Sequence, residues 1–184
     1  MMSTHDLFFM NGRLEGAAVK RKTTYLKDLS GVFKDENLRV KMSQELVIYD
    51  VDFYQPVEPG TQGGLFFGVT RIQPGQVGEE YFMTRGHFHA IVDRGEFYWG
   101  INGTGMLILM DRNRKVRSEE MKPGSLHYIP ADTAHRVANT GNDVLSFGAC
   151  WPADAGYDYE EIKIHGFAAR LMNKNGVPQL INQE

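Results

Sequence analysis

Gly86-His87-Phe88-His89-Ala90-Ile91-Val92-Asp93-Arg94-Gly95-Glu96 is the stretch that decides how this chain folds and what it does. Read as a strand over residues 86–92, it puts His87, His89 and Ile91 on one face, because strand side chains alternate with a period of two. Asp93-Arg94-Gly95 then turns the chain. Glu96, Tyr98 and Gly100 share a face of the next strand, so a hairpin would set the Glu96 carboxylate opposite the two imidazoles. His135 reaches the same face from a separate strand, entered through Pro130 and Ala134. A lone histidine on a sheet is ordinarily only a polar residue. Three imidazoles and one carboxylate converging on a point suit a divalent first-row metal ion.

The flanking sequence supplies a scaffold for such a site. Runs rich in β-branched and aromatic residues cover 45–53, 65–72, 79–84, 87–92, 96–101, 105–110, 115–121, 126–129, 135–139 and 144–151. Pro59-Gly60, Pro74-Gly75, Asn102-Gly103, Pro123-Gly124 and Thr140-Gly141 mark turns between them. Many short strands at even spacing argue for an antiparallel barrel or jelly roll and against a βαβ sheet. Residues 23–44 carry scattered apolar positions that suit short peripheral helices. Residues 1–22 read as an arm or outer strand. The segment after Asp154 carries Tyr157, Tyr159 and Phe167 and turns again at 173–176. A single domain over 1–184 is expected, with the barrel core at 45–151 and a C-terminal extension at 152–184.

Composition narrows the function class. Lys plus Arg number 20 against 23 for Asp plus Glu, so nothing advertises a nucleic-acid or anionic membrane surface. Cys150 is the only cysteine, which rules out an intrachain disulfide and thiolate zinc sites. It reads as a small buried apolar residue. The longest apolar run, 106–110, is far short of the ~20 residues a membrane helix needs. The N-terminus lacks the pattern of a signal peptide. A soluble cytoplasmic protein is the expectation.

Two longer motifs carry a resemblance. Gly124, Pro130-Ala131-Asp132-Thr133-Ala134-His135 and Asn139 resemble the second cupin motif, with Asp132 where that motif usually has glycine. His87-x-His89, Glu96 and Gly103 resemble the first, except that six residues separate His89 from Glu96. That longer gap is a mark of the cupin-type phosphoglucose isomerases. Thr84-Arg85-Gly86-His87-Phe88-His89-Ala90, Asp93-Arg94-Gly95-Glu96-Phe97-Tyr98 and Trp151-Pro152-Ala153-Asp154-Ala155-Gly156-Tyr157-Asp158-Tyr159 are similar to blocks of that family. The resemblance runs from about Thr24 to Phe167.

The resemblance implies an all-β cupin jelly-roll barrel of antiparallel strands. It implies His87, His89, Glu96 and His135 as ligands of one divalent metal, Fe²⁺ before Mn²⁺, Ni²⁺ or Zn²⁺, and Thr70, Thr84, Gly86, Tyr98 and Tyr159 as holders of a sugar phosphate. Hydroxyls and a glycine N–H are good donors to a phosphate carrying about −1.5 to −2 charge. Arg85 is placed to compensate that charge, with a solvated surface cation as its alternative. Trp151 stands where the family has tyrosine. Tyr49 reads equally as a substrate neighbour or as core, His127 as structural, and His5 and His165 as unassigned. Phe66, Phe67, Phe82, Phe97 and Trp99 read as core or subunit interface.

The implied activity is reversible isomerisation of glucose 6-phosphate and fructose 6-phosphate, with Glu96 as catalytic group and the protein as a homodimer. A non-haem iron dioxygenase and a non-catalytic sugar-phosphate-binding cupin are the rivals from other classes. Mannose 6-phosphate is the nearest rival substrate.

Overall fold

The computed structural model describes residues 6–8 and 12–183. Its elements in chain order begin with strands β1 (Asp6–Phe8), β2 (Arg13–Glu15) and β3 (Val19–Tyr25), a 3-10 turn (Leu26–Leu29) and helix α1 (Glu36–Lys41). Next come β4 (Val47–Tyr54), β5 (Leu65–Ile72), β6 (Gln76–Val77), β7 (Glu80–Tyr81), β8 (Glu96–Asn102) and β9 (Gly105–Met110). The chain continues through β10 (Val116–Met121), β11 (Leu126–Ile129), β12 (Ala134–Asn139), β13 (Leu145–Pro152), α2 (Glu160–His165), β14 (Ala169–Lys174) and β15 (Val177–Asn182).

This is the expected jelly-roll of antiparallel strands with two short helices. A six-stranded sheet in the order β11-β8-β13-β5-β4-β3 faces a three-stranded sheet, β10-β9-β12. Every strand pair is antiparallel. Alternation decides which side chains turn inward. Along β11 exposure alternates residue by residue, and along β8 Glu96 is buried while Phe97 is exposed. The apolar run of β9 is buried at five of six positions because both of its faces are covered. The chain changes sheets between β8 and β9 at Gly103, which sits at φ +76°, and a Cβ there would lie 2.7 Å from the Val144 carbonyl.

The C-terminal extension, uncertain from its sequence, forms α2 and a hairpin of β14 and β15 turning at Asn175-Gly176, both with positive φ. It packs on the outside of β12, where the Arg136 guanidinium lies 3.7 Å above the Phe167 ring. All six residues of β12 are therefore buried. The left-handed backbone at Asp132, φ 54°, explains why the related motif prefers glycine there. Aspartate tolerates that conformation, and its carboxylate accepts from Arg112 at 2.7 Å.

Helix α1 is short, so its ends matter. The Asp35 side chain accepts from the Leu38 N–H at 2.8 Å, a standard N-cap bond. The Glu36 carboxylate accepts from Arg39 at 2.7 and 2.8 Å, and from Gly31 N–H and Ser30 Oγ. Arg39, then the Gly31 amide and the Ser30 hydroxyl, outweigh partial burial and hold the Glu36 carboxyl down at about 2, from 4.5. A depressed folded-state value stabilises above the unfolded value and is lost as pH falls through the folded one. Glu36→Gln should therefore cost roughly 0.5–1 kcal/mol at pH 7, since the group is partly exposed and screened. The cost should shrink between pH 4.5 and about 2. Urea unfolding at pH 7 and pH 2.5 checks this; an equal cost at both would contradict it.

Candidate metal centre and active-site pocket

The histidine segment reaches its place by a route other than the expected strand. His87 and His135 exchange backbone bonds, His87 N–H to His135 O at 3.3 Å and His135 N–H to His87 O at 3.1 Å. On the opposite side Phe88 and Asp158 exchange bonds at 3.0 and 2.8 Å. Residues 87–88 thus bridge β12 to the segment before α2, and the chain turns away at Ile91, which is 44 % exposed. His87 and His89 still face one point, while Phe88 enters the core at 1 % exposure. The expected hairpin is absent. Glu96 lies on β8, whose partners are β11 and β13, and it is opposite Ile129.

Gly86 makes the entry possible. Its φ is +80°, and a Cβ would stand 2.7 Å from Phe167 and 3.1 Å from the His135 carbonyl oxygen. At the other end, Arg94 binds Asp154 in a two-bond fork at 2.9 and 2.8 Å. This ties the turn after the histidines to the segment that carries Tyr157 and Tyr159.

The four side chains converge, each offering a donor atom within 4.8 Å of the others. The ring centroids of His87 and His135 are 4.5 Å apart, and those of His89 and His135 are 5.3 Å apart. His89 Nδ1 lies 2.8 Å from the Arg94 carbonyl, and His135 Nδ1 lies 3.1 Å from that of Thr133. A carbonyl only accepts, so each Nδ1 carries the proton and each Nε2 turns a lone pair inward. Glu96 Oε1 is 2.6 Å from His135 Nε2 and 3.5 Å from His89 Nε2. Neither Glu96 Oε1 nor His135 Nε2 makes a hydrogen bond, although both are buried. Orphaned buried acceptors facing one another are costly unless something positive sits between them. The donor set therefore fits a divalent cation.

Electrostatics support the same fit. Burial pushes the Glu96 carboxyl up, but positive charge at the His135 and His89 positions outweighs it and holds it well below the ordinary carboxylate range; a bound cation would supply that charge with both imidazoles neutral. Burial, then the neighbouring His135, drives His87 well below 6.5 and keeps it neutral. Burial and the charge of Glu96 push the Tyr98 phenol far up, so it stays protonated beside that carboxylate. Burial and Tyr157 push Tyr159 up to about 12.

The cluster opens into a cavity of about 390 Å³. Thr70, Thr84, Arg85, Gly86, Tyr98 and Tyr159 all line it, as do Tyr49 and Trp151. Thr84 Oγ accepts from the Val137 N–H at 3.1 Å, leaving its own proton for a ligand. Arg85 donates to the Asp28 carbonyl. Tyr157, which neither cupin motif marks as a site residue, lines the cavity too. Its ring lies 4.9 Å from His87 and stacks on Tyr159 at 5.8 Å, and the Tyr157-x-Tyr159 spacing was the available signal.

Other residues stay apart from the site. His127 is buried between Glu119 and Ser125, at 2.8 and 2.9 Å, as a structural histidine would be. His165 is exposed at the end of α2 and His5 lies outside the described residues. Cys150 is only partly buried, on the outer face of β13, because Ala149 and Trp151 take the inward positions. The aromatic stripe divides: Phe66 and Phe82 are core, while Phe97 is 45 % exposed.

The family model for glucose-6-phosphate isomerase matches residues 21–184. The chain belongs to the glucose-6-phosphate isomerase family. The glucose-6-phosphate isomerase of Thermococcus litoralis is 40 % identical over 172 residues, covering 92 % of this chain and 88 % of that protein. Those of Thermococcus kodakarensis and Pyrococcus horikoshii are 38 % and 37 % identical, covering 96 % and 95 % of this chain and 92 % and 91 % of theirs. Among solved structures, oxalate decarboxylase from Bacillus subtilis matches 60 % of this chain at 19 % identity and TM-score 0.48. The match spans only 26 % of that chain, so no function is taken from it. Among the described residues no helix is long and apolar enough to cross a membrane.

Proposed function

We propose that this isomerase-family protein interconverts D-glucose 6-phosphate and D-fructose 6-phosphate around a divalent ion held by His87, His89, Glu96 and His135. The observation that carries the reading is the pair of orphaned buried atoms, Glu96 Oε1 and His135 Nε2, facing each other in the wall of the cavity. A bound ion there supplies Lewis-acid polarisation of the sugar oxygens, worth several kcal/mol. Fe²⁺ is the ion assigned, in line with the family resemblance.

The remaining work falls to the chain itself. The Thr84 hydroxyl, the Gly86 N–H, the Thr70 and Tyr159 hydroxyls and the Arg85 guanidinium hold the phosphate and so fix the position of the sugar. Glu96 faces C1 and C2 of the open-chain sugar and moves the proton between them. The protonated Tyr98 hydroxyl, which lines the same cavity as Glu96, faces that carboxylate as a donor. Phe147, Ala149 and Trp151 line the cavity and limit water. Conversion of fructose 6-phosphate to glucose 6-phosphate by the purified protein, with mannose 6-phosphate in parallel, tests the assignment. Turnover of the fructose ester supports it. No turnover, with oxygen consumption in its place, would move the protein to the dioxygenase class.

Thr84→Val keeps the shape and removes the donated proton. A lost hydrogen bond to a charged group costs about 1.5–3 kcal/mol, so KM should rise roughly ten- to a hundredfold. Thr84→Ser should restore it. An unchanged KM in initial-rate assays would remove Thr84 from the phosphate site.

We assign a cytoplasmic homodimer. Phe97 and Tyr128 meet at 5.2 Å on the outer face of the large sheet, beside exposed Leu126, and β11 is the edge strand. An apolar strip at an open edge is what a second copy would cover.

A further inference from the structure

We propose a second anion site, separate from the substrate pocket, that takes inorganic phosphate and is too small for a hexose phosphate. A cavity of about 210 Å³ lies between the loop at Ser30–Val32 and α2, and four cations, Arg85, Arg136, Lys163 and Arg170, line it. Only Arg170 forms a direct ion pair, with Glu80 at 2.9 Å, while the same buried carboxylate acts on Arg136 from beyond ion-pair distance. The other carboxylates nearby are committed elsewhere, Glu36 to Arg39 and Glu161 toward Arg114. Among the described residues no carboxylate lies within ion-pair distance of Arg85, Arg136 or Lys163.

Arg136 is the decisive group. It is 4 % exposed, its Nη1 meets only the Met83 sulfur at 2.8 Å, and its Nε has no hydrogen-bond partner. The Nε of Arg170 is buried without a partner as well. A buried guanidinium whose donors are unmatched is costly, and a planar fork of N–H groups is the geometry that suits a tetrahedral oxyanion. The small volume selects a small anion over a nucleic acid or an acidic peptide.

The site is distinct from the pocket yet touches it. Arg85 and Tyr159 line both cavities. An anion held beside Arg136 would draw charge from Arg85 and weaken its hold on the ester in the neighbouring pocket. Phosphate should then raise the apparent KM to a plateau through this site, with kcat unchanged, in addition to direct competition.

The test is equilibrium dialysis of the metal-loaded protein against radiolabelled inorganic phosphate at low salt, with and without saturating hexose 6-phosphate. Lys163→Glu is the variant, since Lys163 is exposed at the rim and plays no part in catalysis. The expected result is phosphate that stays bound when the substrate pocket is filled. Its affinity should fall at least about tenfold in Lys163→Glu, with kcat/KM in phosphate-free buffer unchanged. Bound phosphate fully displaced by hexose 6-phosphate would overturn the proposal. So would an undiminished second equivalent in Lys163→Glu. Because the readout is binding, it stands whatever reaction the main pocket performs.

Discussion

His135→Ala should lose the metal and isomerase activity together. His135 is 1 % exposed, and its Nε2 is the closest imidazole atom to Glu96, at 2.6 Å. Its Nδ1 is fixed by the Thr133 carbonyl, so no water reproduces the aimed lone pair at comparable cost. Losing a Lewis acid worth several kcal/mol lowers kcat on the order of a thousandfold. The fold should persist, because the rest of β12 is held by Val137 and Ala138 in the core and by its pairing with β9. Metal analysis, circular dichroism and initial rates on the same preparation check the three parts. Normal activity in a metal-depleted His135→Ala protein would remove His135, and the centre built around it, from the mechanism.

Glu96→Gln should leave substrate affinity nearly intact and cut kcat by about 10²- to 10⁴-fold, the usual contribution of a positioned acid–base group. Glutamine keeps an oxygen toward His135 but carries no proton between carbons. The proposed phosphate donors, Thr84 and Gly86, lie on a different segment and are untouched, so KM should hold within a few fold. The companion experiment is turnover by the native protein in D₂O. Solvent deuterium in the product accords with proton transfer through Glu96. Full retention of the substrate hydrogen would mean a direct hydride shift and would leave Glu96 only as a ligand.

Much of this arrangement was legible in the residues. The antiparallel barrel followed from short alternating runs and Pro-Gly or Asn-Gly turns, and eight of its strands fall within a residue or two of the runs read from sequence. Residues 87–92 are the informative exception. Their alternation is real, since Phe88 is buried on one side and the histidines face the other. Gly86 at positive φ and the double bridge to β12 and Asp158, however, leave no room for a ladder. Period-two patterning reports which way side chains point, and pairing is decided by distant chain. The same limit hid Tyr157, which reaches the pocket only because the segment from Ala155 to Asp158 pairs with residues 88–91. It also hid the cationic cavity, whose four cations come from three separate stretches of chain.

The most direct measurement is activity against added metal in protein stripped with EDTA, using fructose 6-phosphate as substrate and Fe²⁺, Mn²⁺, Ni²⁺ or Zn²⁺ in turn. The expected result is negligible turnover in the stripped protein. Activity should then rise linearly to a single equivalent per chain, highest with Fe²⁺. Full turnover without metal, or none in a folded and fully loaded protein, would contradict a metal-dependent isomerase built on His87, His89, Glu96 and His135.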